Sequence, residues 1–459
     1  MPRPTLGYSR FLLSSDDDHV QSGRLRRFSR LAWLTARTTA DLLAGKARTK
    51  LGGEASPEAD TASLNAAAER ILSTLGDLKG AALKLGQALA MDPDALPPEA
   101  RKIVAKLLSQ APSRMAFEAV ASVVEKELGK PHHQLFARFD PEPLAAASLG
   151  QVHAAKLLDA DGGAEVVVKV QYPGVDKALE ADISNAGVLV KGIAMTGDTL
   201  DGRPYYEEIR ESLLRELDYL EEAKQNAAFA EAAAGFPELV VPKVIPHLSS
   251  HRVLTLERLS GPNLMDVIES AADEAERYRV GRLLIIAIWG PFYAGRLIHA
   301  DPHPGNFLVL ADGRLGVLDF GATKLLSPRF GNVYRKLLER NAQGKSRQDV
   351  AKILSEAGFR FIGDTDDAYD LCDEIADIVE RPILAEHYDF GADPMVADTR
   401  RLVQSKPGVL LQIKPPAEAV QFYRAAAGLA QDLRLLKMRG NFRSILAEIV
   451  ARGIRPEQA

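Results

Sequence analysis

Cysteine is nearly missing from this chain: of 459 residues, only Cys372 is one. A lone thiol cannot close an internal disulfide, so the fold must be held by its core, and a reducing compartment suits it. No apolar run reaches the length of about eighteen residues that a hydrocarbon-spanning helix needs, so nothing here spans a membrane. Positive charge is not in excess either. Lys and Arg total 57 against 62 Asp and Glu, a formal charge of −5 at pH 7, and no basic stripe with interleaved aromatics occurs in the central region. Nucleic acid is therefore excluded as a partner. Internal repeats and long low-complexity tracts are also missing. The hydrophobic content of 46% with 6% aromatics suits a helix-rich soluble protein able to bury a full core. The length predicts about two to four domain-sized units.

The most informative residues present are His299-Ala300-Asp301-Pro302-His303-Pro304-Gly305-Asn306, followed after a short apolar strand (Leu315 to Leu318) by Asp319-Phe320-Gly321. An Asp and an Asn stand five positions apart on a predicted loop, and a second Asp follows the strand. A lone Asp here would read as a loop cap. Three polar groups at this spacing, in the order loop, strand, D-F-G, point to phosphoryl transfer. One carboxylate, Asp301, faces the acceptor hydroxyl, while an amide and another carboxylate, Asn306 and Asp319, hold Mg²⁺ against the phosphates. His299, Asp301 and His303 also form H-x-D-x-H, but tetrahedral zinc needs further ligands that the spacing does not supply. The first His fits a structural hydrogen-bonding role. His303 is expected to shape the loop or touch phosphate.

Such chemistry also asks for a phosphate-covering loop, a strand lysine and a helix glutamate. Glu165 to Gln171 is a β-branched run carrying the single Lys169, of the V-A-I-K type whose lysine holds α/β-phosphates. Gly150 to Leu158 reads as its hairpin partner, with the turn at Asp159 to Gly163. Where G-x-G-x-x-G would stand, the chain has Ala145-Ala146-Ala147-Ser148-Leu149-Gly150. Alanine keeps a Cβ and restricts backbone approach, so a stiffer nucleotide-covering loop is expected. A helix is predicted over about Tyr205 to Phe229, with Ile209, Leu213, Leu217 and Leu220 at helical spacing. Of its acidic residues Glu216, Asp218 and Glu222, the last is favoured as the partner of Lys169. Glu257 to Gly261 reads as the hinge whose backbone meets adenine.

Upstream, Lys84-Leu85-Gly86-Gln87 sits in a predicted helix from about Ala62 to Met91. Gly86 inside a helix costs about 1 kcal/mol relative to Ala and asks for a packing reason. Arginines 24, 26, 27, 30 and 37 interleave with Phe28, Leu31, Trp33 and Leu34. That pattern fits a surface-binding amphipathic helix, a transit peptide (against which Asp16-Asp17-Asp18 count) or a helix docked on the fold. Residues 52 to 60 read as a linker.

Together these residues resemble the UbiB (AarF) family of atypical protein-kinase-like proteins over roughly Leu64 to Lys324. Lys84 to Gln87 match its K-x-G-Q motif, Ala145 to Ser148 its Ala-rich loop, and Glu216-Leu217-Asp218 its E-x-D motif. The runs Val168 to Gly174 and His299 to Asn306 look like the family's own versions. The resemblance implies an α+β, bilobal protein-kinase-like fold with an N-terminal helical extension and a helical C-terminal region. The expected divisions are 1–60 (basic segment and linker), 61–134 (extension with K-x-G-Q), 135–260 (small lobe with Ala-rich loop and inserted helix) and 261–459 (helical large lobe). It also implies that Lys84, Gly86 and Gln87 lie across the active site and meet Glu216 and Asp218, suppressing ordinary protein kinase activity.

The activity implied is a slow ATPase or unorthodox kinase that binds ATP or ADP with Mg²⁺ and supports ubiquinone biosynthesis. In that reading Asp301, Lys169 and Glu222 are catalytic. Ala145, Ala146, Ala147, Ser148, Lys169 and Glu257 meet the nucleotide, and Asn306 and Asp319 hold metal. The partners implied are a nucleotide, an isoprenoid lipid or quinone intermediate and a peripheral membrane surface, with a homodimer left open. Bacterial relatives often carry C-terminal membrane helices, whereas this chain ends in Arg452 to Ala459, so a cytoplasmic protein with at most peripheral attachment is expected. Two other classes stand beside it. A small-molecule phosphotransferase of the aminoglycoside or choline kinase type shares H-x-D-x-x-x-x-N, but would leave its acceptor pocket open. A non-catalytic nucleotide-binding, lipid-handling scaffold is the third. Beyond Lys324 no A-P-E anchor and no long activation loop are found. Helices are predicted at Val350 to Gly358, Tyr369 to Glu380 and Pro416 to Leu436, without an assignable motif.

Overall fold

Burial alternates along Glu165–Gln171 as a strand with one covered face requires, and that alternation places the lysine. In the computed structural model, which describes residues 115–147, 149–177, 214–215, 217–270, 273–344, 349–363 and 365–453, Val166, Val168 and Val170 are fully buried. They pack against Val120 and Val124 of helix α1 (Phe117–Leu128). Side chains alternate across a strand with period two, so Lys169 points away from that core. This strand, β3, lies in an antiparallel four-stranded sheet of order β1-β2-β3-β5, with β1 at Phe136–Ala147, β2 at Gly150–Leu157 and β5 at Val253–Glu257. Helix α1 ends at Gly129, whose φ of 76° makes a left-handed cap.

A second and larger core fills the helical lobe. Helix α3 (Glu274–Gly295) is buried along most of its length, including Trp289 and Phe292. Around it lie α4 (Pro328–Ala342), α5 (Ala417–Leu435) and α6 (Phe442–Gly453), with shorter helices between. The strands that carry the loop motifs are short. β6 (Leu297–His299) pairs with β9 (Thr323–Leu325), and β7 (Phe307–Val309) pairs with β8 (Leu315–Val317). After Gly321 the chain passes directly through β9 into α4. No helix among the described residues is long and apolar enough to cross a membrane.

Three expectations change. The alanines do not form a loop. Ala145, Ala146 and Ala147 pair with Val152, Gln151 and Gly150, so they finish β1. Glycine is needed at Gly150 because a Cβ there would sit 2.1 Å from the Val170 carbonyl oxygen. The helix predicted from Tyr205 is not continuous. Asp218 adopts φ −115°, ψ 99° and caps the N-terminus of α2 (Tyr219–Ala232), its side chain accepting from the Leu220 N–H. Apolar spacing runs across the break, but a short carboxylate competes for backbone N–H groups and favours a helix start. Finally, Val240 to Ile245 reads in the sequence as a closing strand of the small lobe, and only its end behaves as one. Val244 bridges Leu256 of β5, and the Ile245 N–H donates to the Thr255 carbonyl at 2.9 Å. The first residue of the run, Val240, instead joins Leu239 in β4 (Leu239–Val240), which runs parallel to β8 of the large lobe.

Candidate active site

Lys169 leaves β3 into the space between the lobes and meets two carboxylates from distant segments. Its Nζ donates to both oxygens of Glu222 at 2.9 Å and to Asp319 Oδ2 at 3.4 Å. It also stands 5.1 Å from the centre of the Tyr219 ring. Burial alone would push the ammonium down, but Asp319 and Glu222 outweigh it, so Lys169 is held protonated well above the ordinary lysine value. Glu222 is buried on the first turns of α2. Capping by Asp218 fixes where those turns begin, and therefore where Glu222 points.

Asp319 follows β8 with φ 54°. Its Oδ1 accepts from the Gly321 N–H at 3.3 Å. Such left-handed backbone is rare outside glycine and tolerated by Asp. Phe320 is buried between Phe229 and His299, with ring centres 5.2 and 5.9 Å apart. The helix that carries Glu222 thus rests on the residue after Asp319. His299 Nε2 lies 2.9 Å from the Asp319 carbonyl oxygen and 3.2 Å from that of Leu318. It therefore donates to the backbone of the D-F-G turn, as a structural residue would.

The loop carrying Asp301 is joined to the same turn. The Leu318 N–H donates to the Asn306 carbonyl at 2.8 Å, which sets Asn306 beside Asp319 at one end of the β7–β8 hairpin. Asn306 Nδ2 donates to the Asp301 carbonyl at 2.9 Å and to Asp301 Oδ2 at 3.2 Å. His303 Nδ1 accepts from the Gly305 N–H at 3.0 Å, so its ring shapes the loop, and burial lowers its pKa. The donor set fits Mg²⁺. With its amide nitrogen spent on Asp301, Asn306 has its amide oxygen to offer beside the partly exposed Asp319 carboxylate, and hard oxygens of this number are what Mg²⁺ takes alongside phosphate.

Other expected residues fall less simply. Asp218 caps α2, and its Oδ1 lies 2.9 Å from His251 Nδ1. Glu257 ends β5 at the hinge, but its N–H donates to the Lys243 carbonyl at 2.8 Å. That N–H is not offered to a base. Ala145 and Ala146 stand exposed at the hairpin end. Lys84, Gly86, Gln87, Ser148, Glu216 and the basic N-terminal segment lie outside the described residues.

Sequence reasoning missed one face of α5. Arg424 Nη2 donates to Asp301 Oδ1 at 2.8 Å. At Gly428 a Cβ would stand 2.3 Å from Pro302 Cγ. Asp432 is buried with neither carboxylate oxygen hydrogen-bonded, and burial, with the Asp301 charge adding to it, raises its pKa well above the usual range. The one local signal was Gly428 itself, a glycine in mid-helix that costs about 1 kcal/mol unless something needs the space.

A sequence model described as the ABC1 atypical kinase-like domain matches residues 106–354. The chain is 31% identical over 372 residues to "Atypical kinase coq-8, mitochondrial" of Caenorhabditis elegans, covering 79% of this chain and 48% of that one. It is 30% identical over 434 residues to "Atypical kinase COQ8B, mitochondrial" of Rattus norvegicus, covering 93% and 79%. It thus spans about half the length of the nematode relative and most of the rat one. Among solved structures, the complex of Rv3197 with erythromycin from Mycobacterium tuberculosis superposes with a TM-score of 0.56 at 28% identity. That match covers 87% of this chain and all of the other.

Proposed function

This chain belongs to the ABC1 atypical kinase-like family, and from that premise we propose that it binds ATP or ADP with Mg²⁺ between its lobes. It turns ATP over slowly, as an ATPase or unorthodox kinase, in support of ubiquinone-type lipid biosynthesis. One observation carries the reading. Lys169, Glu222 and Asp319, separated by 53 and 150 positions from the lysine, converge within hydrogen-bonding range in a space between two cores. Burying a charge is costly unless it is paired, and a lysine held in this way is placed to meet phosphate oxygens.

In this reading Lys169 binds the α/β-phosphates and Glu222 positions it. The hairpin end at Ala145 to Ser148 covers the nucleotide, and Glu257 lies where the base docks. Asn306 and Asp319 hold Mg²⁺, which when bound neutralises charge on the phosphates. Asp301 accepts the proton of the attacking hydroxyl or water. Lys84, Gly86 and Gln87, meeting Glu216 and Asp218, form the lid that keeps polypeptide acceptors out. An isoprenoid or quinone intermediate is the lipid partner, reached by peripheral contact with a membrane surface. The nematode and rat relatives, both named as mitochondrial atypical kinases, support the activity class.

Deletion of the gene in its native host tests this. The quinone pool is expected to fall, wild type to restore it and Asp319→Asn to fail. A pool unchanged by deletion removes the biosynthetic role, and rescue by Asp319→Asn removes the nucleotide from it.

A further inference from the structure

The carboxylate at the centre of the catalytic loop has a cationic partner from 123 positions further along the chain. Asp301 Oδ1 accepts from Arg424, while its Oδ2 accepts from Asn306. Between Asp301 and Asn306 the loop reads Pro302-His303-Pro304-Gly305, with neither Lys nor Arg. The His303 ring nitrogen Nδ1 is occupied by the Gly305 N–H. Lys169, the other cation that the described residues bring to the site, is engaged by Glu222 and Asp319. Phosphoryl transfer spreads negative charge over the equatorial oxygens of the moving group, and a positioned arginine beside it is among the largest single contributions to the rate.

Helix α5 is shaped to deliver that arginine. Arg424, Gly428 and Asp432 recur every four residues and share one face. Glycine at 428 lets the helix seat directly on Pro302, the residue after Asp301. The Arg424 side chain remains 40% exposed, so its guanidinium is open to a ligand as well as to Asp301.

We propose that Arg424 is a catalytic residue: an arginine supplied in cis by helix α5, which aligns Asp301 at rest and donates to the phosphoryl oxygens as charge develops on them. The step is the ordinary displacement. The proton of the attacking hydroxyl, or water in hydrolysis, passes to Asp301, and the attacking oxygen bonds to the γ-phosphorus. The bond from that phosphorus to the bridging oxygen breaks, and its electron pair leaves on ADP. This inference rests on the nucleotide reading above and adds to it the residue that meets the transition state.

The full chain with Mg²⁺, ADP and aluminium fluoride tests it, because that complex mimics the phosphoryl in flight. Wild type is expected to bind ADP more tightly when aluminium fluoride is present. Arg424→Ala and Arg424→Gln, checked for folding by circular dichroism, should keep the affinity for MgADP alone within about threefold. Both should lose at least about tenfold of the fluoride-dependent gain, a conservative share of what an arginine of this kind contributes. Arg424→Lys should recover part of the gain. If the uncharged variants keep the whole gain, the role given to Arg424 is wrong while the nucleotide reading stands. If wild type binds no MgADP, that reading and this inference fall together.

Discussion

The two sides of the cleft are built differently. On the inner side, the Lys169–Glu222 pair is 12% and 5% exposed, and the lysine also reaches Asp319, whose side chain is 37% exposed. On the outer side, Asp301 and Arg424 are 18% and 40% exposed. Inside, desolvation makes any unpaired charge expensive, so partners are fixed and the geometry is rigid. Outside, where the proposed reading admits an acceptor, the Asp301–Arg424 pair is partly wet. The inner side is closed by α2, whose Phe229 and Ala232 belong to the larger core, and the outer side by α5. In the proposed reading, one molecule thus separates holding a nucleotide from handling what attacks it.

That separation can be broken experimentally. Asp301→Asn should leave MgATP affinity unchanged and lower turnover by about 10²-fold or more, within the range for proton-transfer groups. A matching loss of affinity would mean the two sides act as one. Glu222→Gln strikes the inner side. Breaking a buried pair costs about 3 kcal/mol at the lower end of what is measured, the expected figure here because Asp319 remains near Lys169. Denaturant unfolding would check it, and unchanged stability would contradict a rigid inner side.

The smallest effect concerns Asp432, beneath the outer side. Its native pKa is raised by burial first and by Asp301 second. The unfolded chain loses this proton near pH ~4, so above that pH it binds fewer protons than the native state, and stability falls as pH rises towards the native pKa. Asp432→Asn cannot ionise. Its stability relative to wild type should therefore improve as pH rises above about 4, as read from denaturant midpoints. A difference that stays flat with pH would show that the carboxyl is not buried as described.

The two sides also differ in how far they could be read from sequence. Lys169 stood out because one charge in a valine run can only leave through the uncovered face of its strand. Asn306 and Asp319 stood out because loop, strand and turn keep them at fixed local spacing. Glu222 was within reach once a helix was recognised, although the start of that helix at Asp218 was hidden by leucines that keep their period across the break. Arg424 had no such local frame. Its meaning depends on a contact across 123 positions, and within α5 it looks like any solvated arginine. The pairing of Leu239–Val240 with β8 was hidden for the same reason, since two residues carry no period and their partner lies in the other lobe.

The claim beneath all of this is that a magnesium nucleotide is held by groups that only folding brings together. Calorimetric titration of ATP into wild type and Asp319→Asn, each with Mg²⁺ and with EDTA, tests it most directly. The account predicts saturable binding by wild type with Mg²⁺, lost in EDTA and lost in Asp319→Asn under both conditions. Equal binding by the variant, or binding by wild type that ignores EDTA, would contradict it.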